Sequence, residues 1–139
     1  MWQTSQIHSK RDHLYFEHTL KKKIELEEEI GNPNVVKVIS DINNYAIYFS
    51  RYCLPYERDG KKAEHFKHIG VYGYKTWFLK RFSKMNKTPL ETSESLEQLR
   101  VLENGYKIKV KETQYQTIGV DTPEQISLVE KELREGVLK

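Results

Sequence analysis

Within His68-Ile69-Gly70-Val71-Tyr72 an imidazole and a phenol flank a glycine at alternate positions. Alternate side chains on a strand share a face, so His68, Gly70 and Tyr72 point one way and Ile69 and Val71 the other. The glycine opens a notch where a small ligand can reach the backbone, with a donor or acceptor on either side. Arg51 follows a hydrophobic run, where its planar fork suits a carboxylate or phosphate. Asp121 ends the short run Thr117-Ile118-Gly119-Val120, and Glu97-Gln98 follow Leu96 directly. Each has a plainer reading by pattern alone. His68 is then a solvated residue on an aromatic core strand, Arg51 a surface cation, Glu97 and Gln98 solvated helix residues, and Asp121 a helix cap.

The elements that must position these residues are legible from periodicity. Val35-Val36-Lys37-Val38-Ile39 and Tyr45-Ala46-Ile47-Tyr48-Phe49 are β-rich runs around the turn residues Asp41-Ile42-Asn43-Asn44, which predicts a hairpin ending at Ser50-Arg51. Pro55 to Gly60 reads as a loop. After the notch, Tyr74, Phe78 and Phe82 recur at i, i+4 and i+8, so a strand runs into an amphipathic helix. Sites in open α/β sheets lie beyond strand ends, where His68 and Tyr72 fall.

Thr88-Pro89-Leu90-Glu91 combines a capping box with proline at the first helical position, Leu96, Leu99 and Leu102 supply an apolar stripe, and Gly105 closes the element. One helix is expected there. Tyr106 to Lys111 alternates strictly and predicts a strand with three lysines on its wet face. Thr122-Pro123-Glu124-Gln125 starts a helix running to about Glu135, with Ile126, Val129 and Leu133 as its core stripe.

Residues 1–30 are highly charged, with Phe16, Leu20 and Ile24 spaced by four, and read as an N-terminal helical extension. Lys21, Lys22 and Lys23 precede four glutamates, an order opposed to the helix dipole, so such a helix needs packing to persist. His8, His13 and His18 at spacing five do not converge on one helix face, which argues against a metal site. Gly31-Asn32-Pro33-Asn34 marks the boundary to a second part, 31–139.

At 139 residues, one core is expected. The 23 Lys and Arg against 20 Asp and Glu leave +3 with no long basic tract, so nucleic-acid binding is not indicated. The single cysteine, Cys53, makes no internal disulfide and suits a reducing cytosol. No apolar run is long enough for a membrane span and the first thirty residues are too charged for a signal peptide, so a soluble cytoplasmic protein is expected.

Taken together, Asn32-Pro33-Asn34-Val35-Val36-Lys37-Val38, Ala46-Ile47-Tyr48-Phe49-Ser50-Arg51, Pro55-Tyr56-Glu57-Arg58-Asp59, Lys67 to Tyr74, Pro89-Leu90-Glu91, Ser95 to Arg100 and Gly119 to Glu124 stand in register. From about residue 32 to 133 the chain resembles the C-terminal half of the 3-deoxy-manno-octulosonate (Kdo) cytidylyltransferases, or CMP-Kdo synthetases. The resemblance implies an α/β fold, a partial Rossmann-like nucleotidyltransferase sheet with flanking helices, here preceded by the N-terminal helix. It implies attack of the Kdo anomeric hydroxyl on the α-phosphorus of CTP, with Mg2+, as a step of lipopolysaccharide precursor synthesis. Arg51, His68, Tyr72, Glu97 and Gln98 match positions of the family's sugar-binding set, and Asp121 its magnesium-binding aspartate. The family pairs its subunits through this half, which implies a homodimer.

Residues 1–30 do not look like the family. Its glycine-containing triphosphate loop also has no counterpart here. The expectation is therefore the acceptor-sugar and dimerisation part of such an enzyme, lacking the CTP-binding half and with no catalytic residue assigned. The alternative is a non-catalytic sugar-binding or dimerisation module of the same descent.

Overall fold

A computed structural model of the protein describes residues 15–115 and 123–135. Among the described residues five strands form one mixed sheet: β1 (Tyr15–Lys23), β2 (Lys37–Ser40), β3 (Ala46–Ser50), β4 (Phe66–Tyr74) and β5 (Lys107–Glu112). Their order across the sheet is β3-β2-β4-β1-β5. The β1–β5 pair is parallel and the other pairs are antiparallel. Among the same residues five α-helices accompany them: α1 (Glu27–Gly31), α2 (Thr76–Phe82), α3 (Pro89–Glu94), α4 (Gln98–Glu103) and α5 (Pro123–Arg134).

The helix expected across residues 1–30 is corrected over Tyr15–Lys23, where the chain forms β1, hydrogen-bonded to β4 on one side and β5 on the other; residues 1–14 lie outside the described residues. The four-residue apolar spacing lost to tertiary pairing, a common override of weak helix propensity. Two lysines of this charged segment, Lys21 and Lys22, are buried, whereas Lys23 is exposed. Lys21 Nζ donates to Ser40 Oγ at 2.7 Å and lies 4.3 Å from the Phe66 ring centre, while Lys22 Nζ reaches Gln114 O at 3.4 Å. His18 lies on this strand, and His8 and His13 lie outside the described residues.

The hairpin, the strand-to-helix run and the alternating strand form as expected. Ile108 and Val110 of β5 are fully buried, whereas Lys107 and Lys111 are exposed. The core packs Val38 and Phe49 of the hairpin and Phe78 of α2 against Leu96, Leu99, Val101, Ile108 and Val110. Tyr74, Phe78 and Phe82 stack at 6.1 to 6.4 Å, and Tyr106 meets Phe78 edge-on at 4.9 Å.

The single helix expected from Thr88 to Gly105 is two helices, α3 and α4, separated by Ser95 in the left-handed conformation (φ 53°). Arg51 accounts for the break. Its Nε and Nη2 donate to the carbonyls of Glu94 (2.7 Å) and Ser95 (3.3 Å), which an unbroken helix would use for its own next turn. The ends were read correctly: Glu91 accepts the Thr88 amide at 3.2 Å, and Gly105 has φ +78°. A buried ion pair of Glu91 with Arg100 ties α3 to α4. Helix α5 begins at Pro123 as expected, but its apolar stripe is not core. Ile126 and Leu133 are exposed and Val129 is half-buried.

Candidate functional site

The notch forms on β4 by a route that alternation alone did not reveal. Pairing with β1 passes from Thr19↔Tyr72 to Leu20↔Ile69, so Gly70 and Val71 bulge out with no opposing residue. Both are exposed, and a Cβ added at Gly70 would meet nothing within 4 Å. The His68 and Tyr72 rings come together across the bulge, with centres 5.4 Å apart. His68 also packs edge-on against Phe49 at 5.0 Å. Burial pushes the His68 pKa down to about 4, so the ring is neutral near pH 7. Its Nε2 lies 2.8 Å from the hydroxyl of Thr19, a buried residue of β1.

Two residues beyond Phe49, Arg51 crosses from β3 to the α3–α4 junction. Besides the Glu94 and Ser95 carbonyls, its Nη1 donates to Pro33 O at 3.0 Å. Three of five N–H groups are thus directed at carbonyl oxygens, and the two remaining can serve an anion. Glu94 holds the junction from beneath. Its carboxylate accepts from Ser50 Oγ (2.6 Å), the Arg51 amide (2.9 Å) and Tyr48 OH (3.3 Å). Burial pushes the Glu94 pKa up, but the hydrogen bonds from Ser50, Arg51 and Tyr48 outweigh it and leave it below the usual value. Tyr48 is raised, first by burial and then by the Glu94 charge.

The helix break places Glu97 and Gln98 just after this junction. Glu97 is exposed and Gln98, opening α4, is buried. A cleft of about 370 Å³ runs past Glu97, lined also by Lys87, Glu91, Thr92, Ser95 and Leu96. A larger one of about 610 Å³ lies between the end of β1, α1 and the loop before β4, and its lining includes none of the five predicted sugar-site residues.

The structure thus brings His68 and Tyr72 into direct contact, packs His68 on Phe49, two residues before Arg51, and sets Arg51 against the turn that precedes Glu97 and Gln98. Asp121 lies outside the described residues. Among the described residues no three His, Cys, Asp or Glu side chains gather as a metal site. Thr19 and Glu94 were missed by sequence reading. Thr19 sits in the segment taken for a helix, and nothing in the local pattern singles out Glu94 as the acceptor beneath Ser50-Arg51.

The fold aligns with a solved CMP:2-keto-3-deoxy-manno-octonic acid synthetase complexed with CTP, at a TM-score of 0.82 and 33% identity over 95% of this chain and 55% of that one. Sheet and flanking helices are therefore those of a Rossmann-like nucleotidyltransferase. The cytidylyltransferase family profile matches residues 3–110, and the chain belongs to that family. Its relatives include 3-deoxy-manno-octulosonate cytidylyltransferases of Fusobacterium nucleatum, 58% identical over 121 residues, and Solibacter usitatus, 50% identical over 122. Each alignment covers 87% of this chain and 49% or 48% of the relative, so the chain spans about half the length of the curated relatives it matches. The match from residue 3 corrects the expectation that the first thirty residues are unlike the family.

Proposed function

We propose that this chain provides the acceptor-sugar part of a Kdo cytidylyltransferase, which joins CTP and Kdo to give CMP-Kdo and pyrophosphate in lipopolysaccharide precursor synthesis. The observation that carries this reading is a guanidinium, Arg51, anchored on the α3–α4 turn two residues along the chain from Phe49, whose ring packs on His68 of the His68–Tyr72 pair. An acidic sugar needs a cation for its carboxylate and polar edges for its hydroxyls. The two uncommitted N–H groups of Arg51 meet the first need, and His68, Tyr72, Glu97 and Gln98 meet the second. A neutral, largely buried His68 acts as a hydrogen-bonding edge rather than a second cation.

Turnover requires positioning and charge neutralisation at the triphosphate, for which the described residues supply no glycine-rich loop. The role assigned here is acceptor binding and orientation. Mg2+ is proposed at Asp121 on family resemblance; it would neutralise phosphate charge, and a single carboxylate needs further oxygen ligands to hold it. A homodimer and a cytoplasmic setting are proposed on the same resemblance. No described helix is long and apolar enough to cross a membrane.

Calorimetric titration of Kdo into the wild type, Arg51→Ala and Asp121→Ala tests the reading. The wild type and Asp121→Ala bind Kdo, and Arg51→Ala loses about 2 kcal/mol or more of binding free energy. Equal binding by Arg51→Ala overturns the assignment of the carboxylate site. Binding without pyrophosphate release from CTP marks the chain as a sugar-binding module in isolation.

A further inference from the structure

We propose that Thr19 is a positioning residue that locks His68 in its Nε2–H tautomer, leaving Nδ1 as the only acceptor on the ring. The number of protons at Thr19 decides the tautomer. A threonine hydroxyl carries one, and Thr19 Oγ1 has three neighbours: Val71 O at 2.9 Å, Ile69 O at 3.2 Å and His68 Nε2 at 2.8 Å. Two of these are carbonyl oxygens, which only accept.

Were the hydroxyl proton given to Nε2, the bare lone pairs of Oγ1 would face two carbonyl oxygens at hydrogen-bond distance with no proton between them. Thr19 is 3% exposed, so water does not relieve that repulsion. Giving the proton to Val71 O, with Ile69 O as the weaker branch, and letting Nε2–H donate to Oγ1 satisfies all three neighbours.

The bulge explains why the hydroxyl is needed there. Two residues of β4 stand against none of β1, which disturbs the ladder at the carbonyls flanking Gly70. Thr19, stiff at χ1 because it is β-branched, supplies the missing donor to the bulge. One side chain therefore holds both the notch and the protonation pattern of the ring beside it. Nδ1 of the neutral imidazole then accepts a hydrogen bond from a ligand hydroxyl, which the opposite tautomer would not do. That last step rests on the sugar-site reading above; the tautomer itself does not.

The experiment is long-range 1H–15N correlation on the full 139-residue chain labelled at histidine nitrogens, near pH 7, for the wild type, Thr19→Ser and Thr19→Val. The wild type and Thr19→Ser show His68 protonated at Nε2 and bare at Nδ1, and Thr19→Val shows mixed or reversed protonation. A wild-type His68 protonated at Nδ1 overturns the proposal, as does a Thr19→Val variant that keeps the pure Nε2–H pattern. If Thr19→Val does not fold, the wild-type spectrum alone still decides which nitrogen carries the proton. Kdo titration of the same proteins reads the consequence: Thr19→Val weakens binding about five- to tenfold and Thr19→Ser by less than about twofold. Should the tautomer follow Thr19 while wild type ignores Kdo, the positioning role stands and the sugar-site reading falls.

Discussion

The two walls of the candidate site are built from opposite materials. At the Arg51 wall, the guanidinium donates to carbonyls of the α3–α4 turn and of Pro33, while the Glu94 carboxylate accepts from two hydroxyl groups and the Arg51 amide. At the notch, rings pack on rings, a single hydroxyl anchors the imidazole, and two backbone residues bulge into the open. The first wall spends most of its hydrogen bonds on holding a shape, so its charge sits in one place before any ligand arrives. The second achieves rigidity by packing and presents the polar edges of an imidazole and a phenol. A site for a small acidic polyol needs both: a fixed cation, whose ordering costs nothing at binding, and unspent hydrogen-bonding edges.

Acid should break the notch before the Arg51 wall. His68 has a folded pKa of about 4 against 6.5 for a free histidine. Between those values the unfolded chain takes up a proton that the folded one refuses, so stability present above pH 6.5 is lost as pH falls toward 4. The full span is worth about 3 kcal/mol at most for this residue. His18, lowered by burial and then by Lys75 and Lys109, acts in the same direction. Urea titrations from pH 7 to 4 should show the fall, and His68→Gln should remove most of it; an unchanged slope in that variant would place the titration elsewhere. Glu94, held below its usual value, keeps the Arg51 wall intact until lower pH.

Glu94→Ala should break the other wall alone. It strands the Ser50 hydroxyl and the Arg51 amide and removes the support under the α3–α4 turn, which predicts a loss of about 2 kcal/mol in chemical denaturation. The His68 ring resonances should stay in place. Movement of those signals would show that the walls are coupled through Phe49 rather than independent.

The smallest effect on stability is expected at Gly70. An added methyl meets nothing within 4 Å, so Gly70→Ala should leave stability within about 0.5 kcal/mol of wild type. Kdo binding should nevertheless fall, because the methyl occupies the notch. Unchanged calorimetric binding would show that no ligand approaches the backbone at the bulge, which would sharpen the site toward the Arg51 wall.

Much of the framework could be read residue by residue. The hairpin from Val35 to Phe49, the passage from β4 into α2, the capping box at Thr88 and the alternating strand at Tyr106 to Lys111 are local signals, and local signals persist when the chain folds. The errors share one cause. Phe16, Leu20 and Ile24 satisfied a helical period in a segment whose fate was settled by two neighbouring strands, and Leu96, Leu99 and Leu102 suggested one helix where Arg51 captured the carbonyls of Glu94 and Ser95. Ile126, Val129 and Leu133 were read as core because periodicity reports which side chains share a face and is silent about what covers it.

By itself the sequence determined the chemical types at the site and their positions along the chain: His68 and Tyr72 around Gly70, Arg51 after a hydrophobic run, Glu97 and Gln98 after Leu96. Those follow from covalent order and side-chain period, which no packing changes. Only the tertiary structure decided that Thr19 would face His68, that Gly70 and Val71 would bulge, and that the helix would break where Glu97 and Gln98 come into play. Each depends on a partner some 40 to 50 residues away in the chain, Thr19 with His68 and Arg51 with Glu94. A hydrogen bond across such a distance exists only once both segments are held by the sheet, so no local pattern records it.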